Sequence, residues 1–193
     1  KLLESENGDS QIYVCFIIAG VMMMGEDGIS NMLAYISNRK EVAAIGAKLY
    51  AVGGTLAHAG VILNMGNLQG WMYTRHSKYD EMYFNYSAYS ALRSGITMIR
   101  LEDIQKYGSF DERFGGEYSM IDYTYTMKKD GRLCIYDANA DYQVRPARSR
   151  DADDCFETIS GKLKEYHEFI GKYPEVDKYG DLYYSNSVKV IDK

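Results

Sequence analysis

Side chains able to do chemistry are thinly spread along this chain of 193 residues. Their densest group is the run RPARSRD, which sets Arg145, Arg148 and Arg150 close together. Guanidinium groups grip phosphate-type anions through paired hydrogen bonds. Asp151, Asp153 and Asp154 follow at once, so a solvated loop of internal ion pairs is the competing reading. Asp122, in SMIDYTY, opens a helical pattern, where the helix dipole favours a carboxylate whatever its role. Glu26 and Asp27 stand before a second such start, DGIS. His58, in LAHAG, reads as a packed structural histidine. Cys15, Cys134 and Cys155 are odd in number, far apart and without CxxC spacing, which argues against both a disulfide framework and a zinc site and makes a reducing cytosol the default.

The elements that must position these residues form an α/β pattern: a mixed sheet with flanking helices. The length suits one domain. Residues 1–10 read as a polar linker or frayed end, 11–150 as the α/β domain, and 151–193 as a helical extension and tail of that domain. Ile12 to Val21 reads as a strand buried on both faces, as in a parallel sheet. The apolar run Ile12 to Met24 is shorter than the ~20 residues a bilayer-spanning helix needs. A helix is expected from Asp27. Ile45, Ala47 and Leu49 then alternate with Gly46, Lys48 and Tyr50 as a half-buried strand would, Gly53-Gly54 turns the chain, and Thr55 to Leu63 forms a second strand. Residues 63–86, rich in glycine and aromatics, read as a long functional loop. Ser94 to Arg100 is expected to be a strand, Leu101 to Tyr107 a helix stopped by Gly108, Tyr118 to Lys129 a helix, Leu133 to Tyr136 a strand and Phe156 to Tyr173 an amphipathic helix. The strands near Tyr13 to Ala19, Ile45 to Leu49 and Ser94 to Arg100 are expected to be neighbours, with the Tyr118 to Lys129 helix packed on them. A net charge of -5 argues against a general nucleic-acid binder. The 19 tyrosines suit either half-exposed strands or a sugar site, because a phenol joins an apolar face to a hydroxyl.

Five phrases go beyond these physical readings. GAKLY followed by GGT, HAG and VIL, then NYSA at Asn85 to Ala88, EDIQKYGSFDERF at Glu102 to Phe114, DGRLCIYD at Asp130 to Asp137 and a closing DLYYSN run in one order. In this the chain resembles family 2 glycosyltransferases of GT-A fold, especially bacterial enzymes that build surface polysaccharides. The likeness runs from about Tyr13 to Asn186 and covers the later part of such a domain.

The resemblance implies sugar transfer from a nucleotide-sugar donor to a glycan or lipid-linked acceptor, in the cytoplasm or at the inner face of the membrane through a partner. It implies a nucleotide sugar or glycan as ligand, and a missing N-terminal half or a second transferase domain as partner. The family uses Mg²⁺ or Mn²⁺ held by an Asp-x-Asp pair, but Ile18 and Gly20 stand at those places, so no metal ligand and no cofactor is expected in this segment. Of the family's Asn-Asp-x-Asp base motif only Asp122 survives, with Met120 at the base position; Asp122 is the one catalytic candidate. Val144 and Arg145 replace the histidines that help hold the metal. The recognition frame remains: His58, Ser94-Gly95 where an acceptor sugar approaches the backbone, and Arg145, Arg148 and Arg150 at the diphosphate loop. Two expectations stay open, a transferase segment and a non-catalytic carbohydrate-binding or scaffolding module derived from one.

Overall fold

The computed structural model describes residues 2–4, 11–51, 53, 54, 56–63, 86–144, 164–181 and 183. It is an α/β structure with a mixed sheet and flanking helices. In chain order the strands are β1 (Leu2–Glu4), β2 (Ile12–Ile17), β3 (Val21–Met23), β4 (Val42–Ala51), β5 (Leu56–His58), β6 (Ser87–Tyr89), β7 (Ile96–Arg100) and β8 (Leu133–Val144). The helices are α1 (Gly28–Ser37), α2 (Leu101–Tyr107), α3 (Gly116–Lys129), a helical stretch at residues 164–172 (α4) and α5 (Pro174–Tyr179). The sheet runs β1-β2-β7-β4-β8-β3, with β5 on β4 and β6 on β8. The three strands expected to be neighbours are adjacent, as β2, β7 and β4.

Strand β4 is the centre of the fold. It pairs parallel with β8 and antiparallel with β7 and β5. Its alternation does separate two faces, but both are buried: Ile45, Ala47 and Leu49 pack with Met32 and Ile36 of α1, while Gly46 lies under Leu92 and Lys48 is only 2% exposed. On the second face α3 lays Met120, Tyr123 and Met127 against Ala43, Ala44, Ile99 and Cys134.

Several expectations are corrected. Strand β2 is antiparallel to both neighbours and is not buried throughout; Tyr13 is buried, but Ile17 at its end is 54% exposed. Leu2–Glu4, within the stretch expected to fray, pairs as an edge strand with β2. Gly53 and Gly54 do turn the chain at positive φ, 102° and 80°, but β5 stops at His58 because Gly60, at φ 97°, bends the chain, and Val61 forms only an isolated bridge to Ala91. Strand β8 is far longer than expected and carries a register shift.

Only residues 18–20 join β2 to β3, although β7, β4 and β8 lie between these strands in the sheet. Four Cα steps reach at most about 15 Å, whereas four strand spacings in a flat sheet take about 19 Å. The sheet must therefore curl at this end, which brings the end of β3 and the turn into α1 up to the bulged part of β8.

Candidate functional site

The register of β8 on β4 jumps from Ala47 opposite Asp137 to Lys48 opposite Asp141, so Ala138, Asn139 and Ala140 form a bulge. Bulges re-aim side chains and recur beside functional sites. Here the crest residue Asn139 is exposed while Ala138 and Ala140 are buried. The N–H of Asn139 donates to Asp137 Oδ1 at 2.8 Å, and Lys48 Nζ donates to the Ala138 carbonyl at 2.6 Å while pairing with Asp141 Oδ1 at 2.8 Å. Burial pushes the Asp137 carboxyl upward, against the bonds and the Lys48 charge that hold it down.

Asn139 and Asp141 face Met24, Gly25, Glu26, Asp27, Gly28 and Asn31 across an open cleft of about 250 Å³. The Met24 N–H donates to the Asp141 carbonyl at 3.1 Å and closes one end. Asp27 is the N-cap of α1, as expected, but its side chain makes no capping bond, so the carboxylate faces solvent with Glu26. At the rim the Asn139 amide donates to the Tyr86 hydroxyl at 3.2 Å, and the Tyr86 ring stacks on Tyr35 of α1 with centroids 4.2 Å apart. Carboxylates, amides and tyrosine edges in one cleft suit the hydroxyls of a sugar, since they accept and donate over an apolar ring face.

A second opening of about 210 Å³ lies beside Arg100, Gln11 and Glu102. Its guanidinium is spent internally, on the Val42, Ile36 and Arg39 carbonyls, Gln11 Oε1 and the Tyr13 hydroxyl, so it offers no free fork to an anion.

The residues singled out in the sequence do not gather at the cleft. His58 is 4% exposed in β5 opposite Leu49, and its Nε2 has no hydrogen-bond partner among the described residues; burial first and Arg93 second push its pKa down to about 3. The satisfied histidine expected there is thus only half right: the ring is structural, but one nitrogen is orphaned. Gly95 leaves room for Leu49, whose Cδ1 would lie 2.4 Å from a Cβ at that position, which supports the close-packing role of this glycine. Ser94 donates to the Gly116 carbonyl at 2.9 Å, tying β7 to the start of α3. Ile18 and Gly20 form the turn into β3, and Gly20 sits at φ 85°. Arg145, Arg148 and Arg150, the loop at 64–85 and Cys155 lie outside the described residues.

Asp122 is neither in the first turn of its helix nor solvated. It sits in the second turn of α3, 2% exposed, on the side away from Met120, where Lys172 of α4 donates at 2.7 and 2.9 Å and the Tyr173 hydroxyl at 2.8 Å. Lys172 also pairs with Asp111 at 3.0 Å, and its pKa rises to about 12, the two carboxylate partners outweighing burial. Arg113 and Lys172 together hold the Asp111 carboxyl well below the usual range. Asp122→Asn is therefore expected to lose about 2 kcal/mol, below the 3–5 of a fully buried pair because Lys172 keeps some solvent contact. A urea double-mutant cycle with Lys172→Met measures the coupling; a coupling near zero would make the cluster a solvated pair.

The groups that sequence reasoning missed are Lys48, Asp137, Asn139 and Asp141. The available signal was DANAD, polar residues at spacing two on a strand otherwise apolar, together with a lone lysine in the facing strand. Among the described residues no group of three His, Cys, Asp or Glu side chains is placed to share a metal ion, and no helix is long and apolar enough to cross a membrane. No protein-family model matches the chain, and no curated protein matches it.

Proposed function

We propose that this chain is a glycosyltransferase-like domain of cell-surface polysaccharide synthesis that holds a glycan in the cleft between α1 and the β8 bulge and does not itself transfer sugar. The observation that carries the reading is the lining of Glu26, Asp27, Asn31, Asn139 and Asp141, hydroxyl-binding groups whose carboxylates repel a diphosphate. The phrases shared with family 2 enzymes support the glycan as ligand class. Against catalysis stand Ile18 at one metal position and, at the other, Gly20 at φ 85°, where an aspartate would be strained. Asp122 is 2% exposed and turned to Lys172 and Tyr173, so it does not face an incoming hydroxyl.

A glycan array of neutral, amino and uronic oligosaccharides tests the reading. Hits are expected among neutral and amino sugars, with Asp141→Ala weakening them about 10-fold, near 1.4 kcal/mol. No hits, or hits confined to uronates, would overturn it. In a calorimetric titration of Mn²⁺ with a nucleotide-diphosphate sugar present, no nucleotide-dependent heat is expected; a micromolar site that needs the nucleotide would restore the transferase reading.

A further inference from the structure

We propose that Lys48 and Asp137 are positioning residues of the cleft, holding the β8 bulge so that the Asn139 amide and the Asp141 carboxylate reach the same sugar unit; this rests on the glycan-binding reading. A lysine in the central strand of a sheet is costly to bury, and its neighbours Gly46 and Tyr50 show that the face accepts apolar groups. What Lys48 does there is bridge the two feet of the bulge: its ammonium meets the Ala138 carbonyl on one side of the crest and Asp141 Oδ1 on the other.

Asp137 works from behind. It is fully buried, uses Oδ1 to hold the Asn139 N–H at 2.8 Å, and feels the Ala140 N–H and the Tyr86 hydroxyl as further donors to the carboxylate. A wholly buried carboxylate is costly, so its presence points to the bulge conformation its bonds enforce. Tyr86, stacked on Tyr35, steadies the Asn139 amide from the side, and Arg39 covers the other ring at 3.9 Å.

The consequence of losing this support follows from strand geometry. Side chains alternate with period two, so a bulge that relaxes by one residue turns every side chain beyond it to the opposite face. Asp141 would then leave the cleft and Asn139 would lose its place at the crest, although neither had been changed.

Lys48→Met is the direct test, scored with the tightest neutral or amino oligosaccharide from the array. The expected result is a Kd about 10-fold or more higher, with the Asn139 side-chain amide resonances shifted and near-UV circular dichroism unchanged. Asp137→Ala provides a second route to the same loosened bulge and should give the same pair of changes. A folded Lys48→Met or Asp137→Ala protein with wild-type Kd would overturn the inference and leave the glycan reading standing. Loss of folding in both variants would overturn it too, by assigning the pair a purely structural role. If the wild-type chain binds no oligosaccharide on the array, both the reading and the inference fall.

Discussion

Replacing Arg100 by methionine is expected to cost about 4 kcal/mol of folding stability, the largest loss from any single side chain described above. Arg100 is 1% exposed at the end of β7, and its donors reach three other elements of the fold, β2, β4 and α1, and the segments beside them. Nε bonds the Val42 carbonyl at 3.0 Å; Nη1 meets Gln11 Oε1 at 2.6 Å and the Tyr13 hydroxyl at 2.9 Å; Nη2 meets the Arg39 carbonyl at 2.8 Å and the Ile36 carbonyl. The Ile36 carbonyl lies in the last turn of α1 and the Arg39 carbonyl just past its C-cap, where a cation is favoured by the dipole; each also accepts a backbone N–H. Methionine fills most of the volume but removes five charge-assisted hydrogen bonds, each worth about 1 kcal/mol here because the Ile36 and Arg39 carbonyls and Gln11 Oε1 keep a second donor. For a chain of this length the melting temperature should fall by roughly 8–16 °C. Arg100→Lys restores the charge without the planar fork, so it should recover less than half of the loss. A shift in the urea midpoint worth under about 1 kcal/mol for Arg100→Met would mean that water satisfies these carbonyls and that the clasp is dispensable.

The same arginine shows how far the sequence was readable. Its strand and the following helix were visible because local signals agree: an apolar run, then an acidic first turn, then Gly108 at φ 79° ending α2. The five-way clasp was not, because its acceptors are backbone carbonyls and groups far off in the chain. Local signals also located α1 and α3 to within a few residues. They failed where burial depends on the neighbours: β4 looked half-buried because Lys48 and Gly46 interrupt its apolar run, yet Leu92 and the β8 bulge cover them. Asp122 looked like a capping residue because α3 was expected to start later than Gly116, and Lys172, some 50 residues on, is not predictable as its partner. The cleft was the least legible feature. Glu26 and Asp27 were noticed, but Asn139 and Asp141 join them only through a curl in the sheet and a bulge, both products of long-range pairing.

The most direct test of the environment at His58 is acid. With the folded pKa near 3 and an ordinary histidine at 6.5 in the unfolded chain, the unfolded state binds a proton in this interval that the folded state refuses. The stability that the neutral ring contributes is therefore intact above pH 6.5 and is drained as pH falls toward 3, at about 1.4 kcal/mol per pH unit and about 4–5 kcal/mol in all. Carboxylates begin to titrate below about pH 4.5, so the clean window is pH 6.5 to 4.5, where the expected loss is about 2–3 kcal/mol. The physical cause is that the imidazolium would sit buried beside the Arg93 guanidinium, and the ring already leaves Nε2 unpaired among the described residues. His58→Leu removes the titration and the orphaned nitrogen together. It should keep the neutral-pH stability within about 1 kcal/mol, because the lost ring contacts are offset by removing an unpaired buried nitrogen, and it should flatten the curve between pH 6.5 and 4.5. Urea midpoints at half-unit pH steps, for both proteins in one buffer series, make the comparison. A wild-type curve already flat across that window would show that the folded chain accepts the imidazolium, which requires the ring to leave its buried place opposite Leu49.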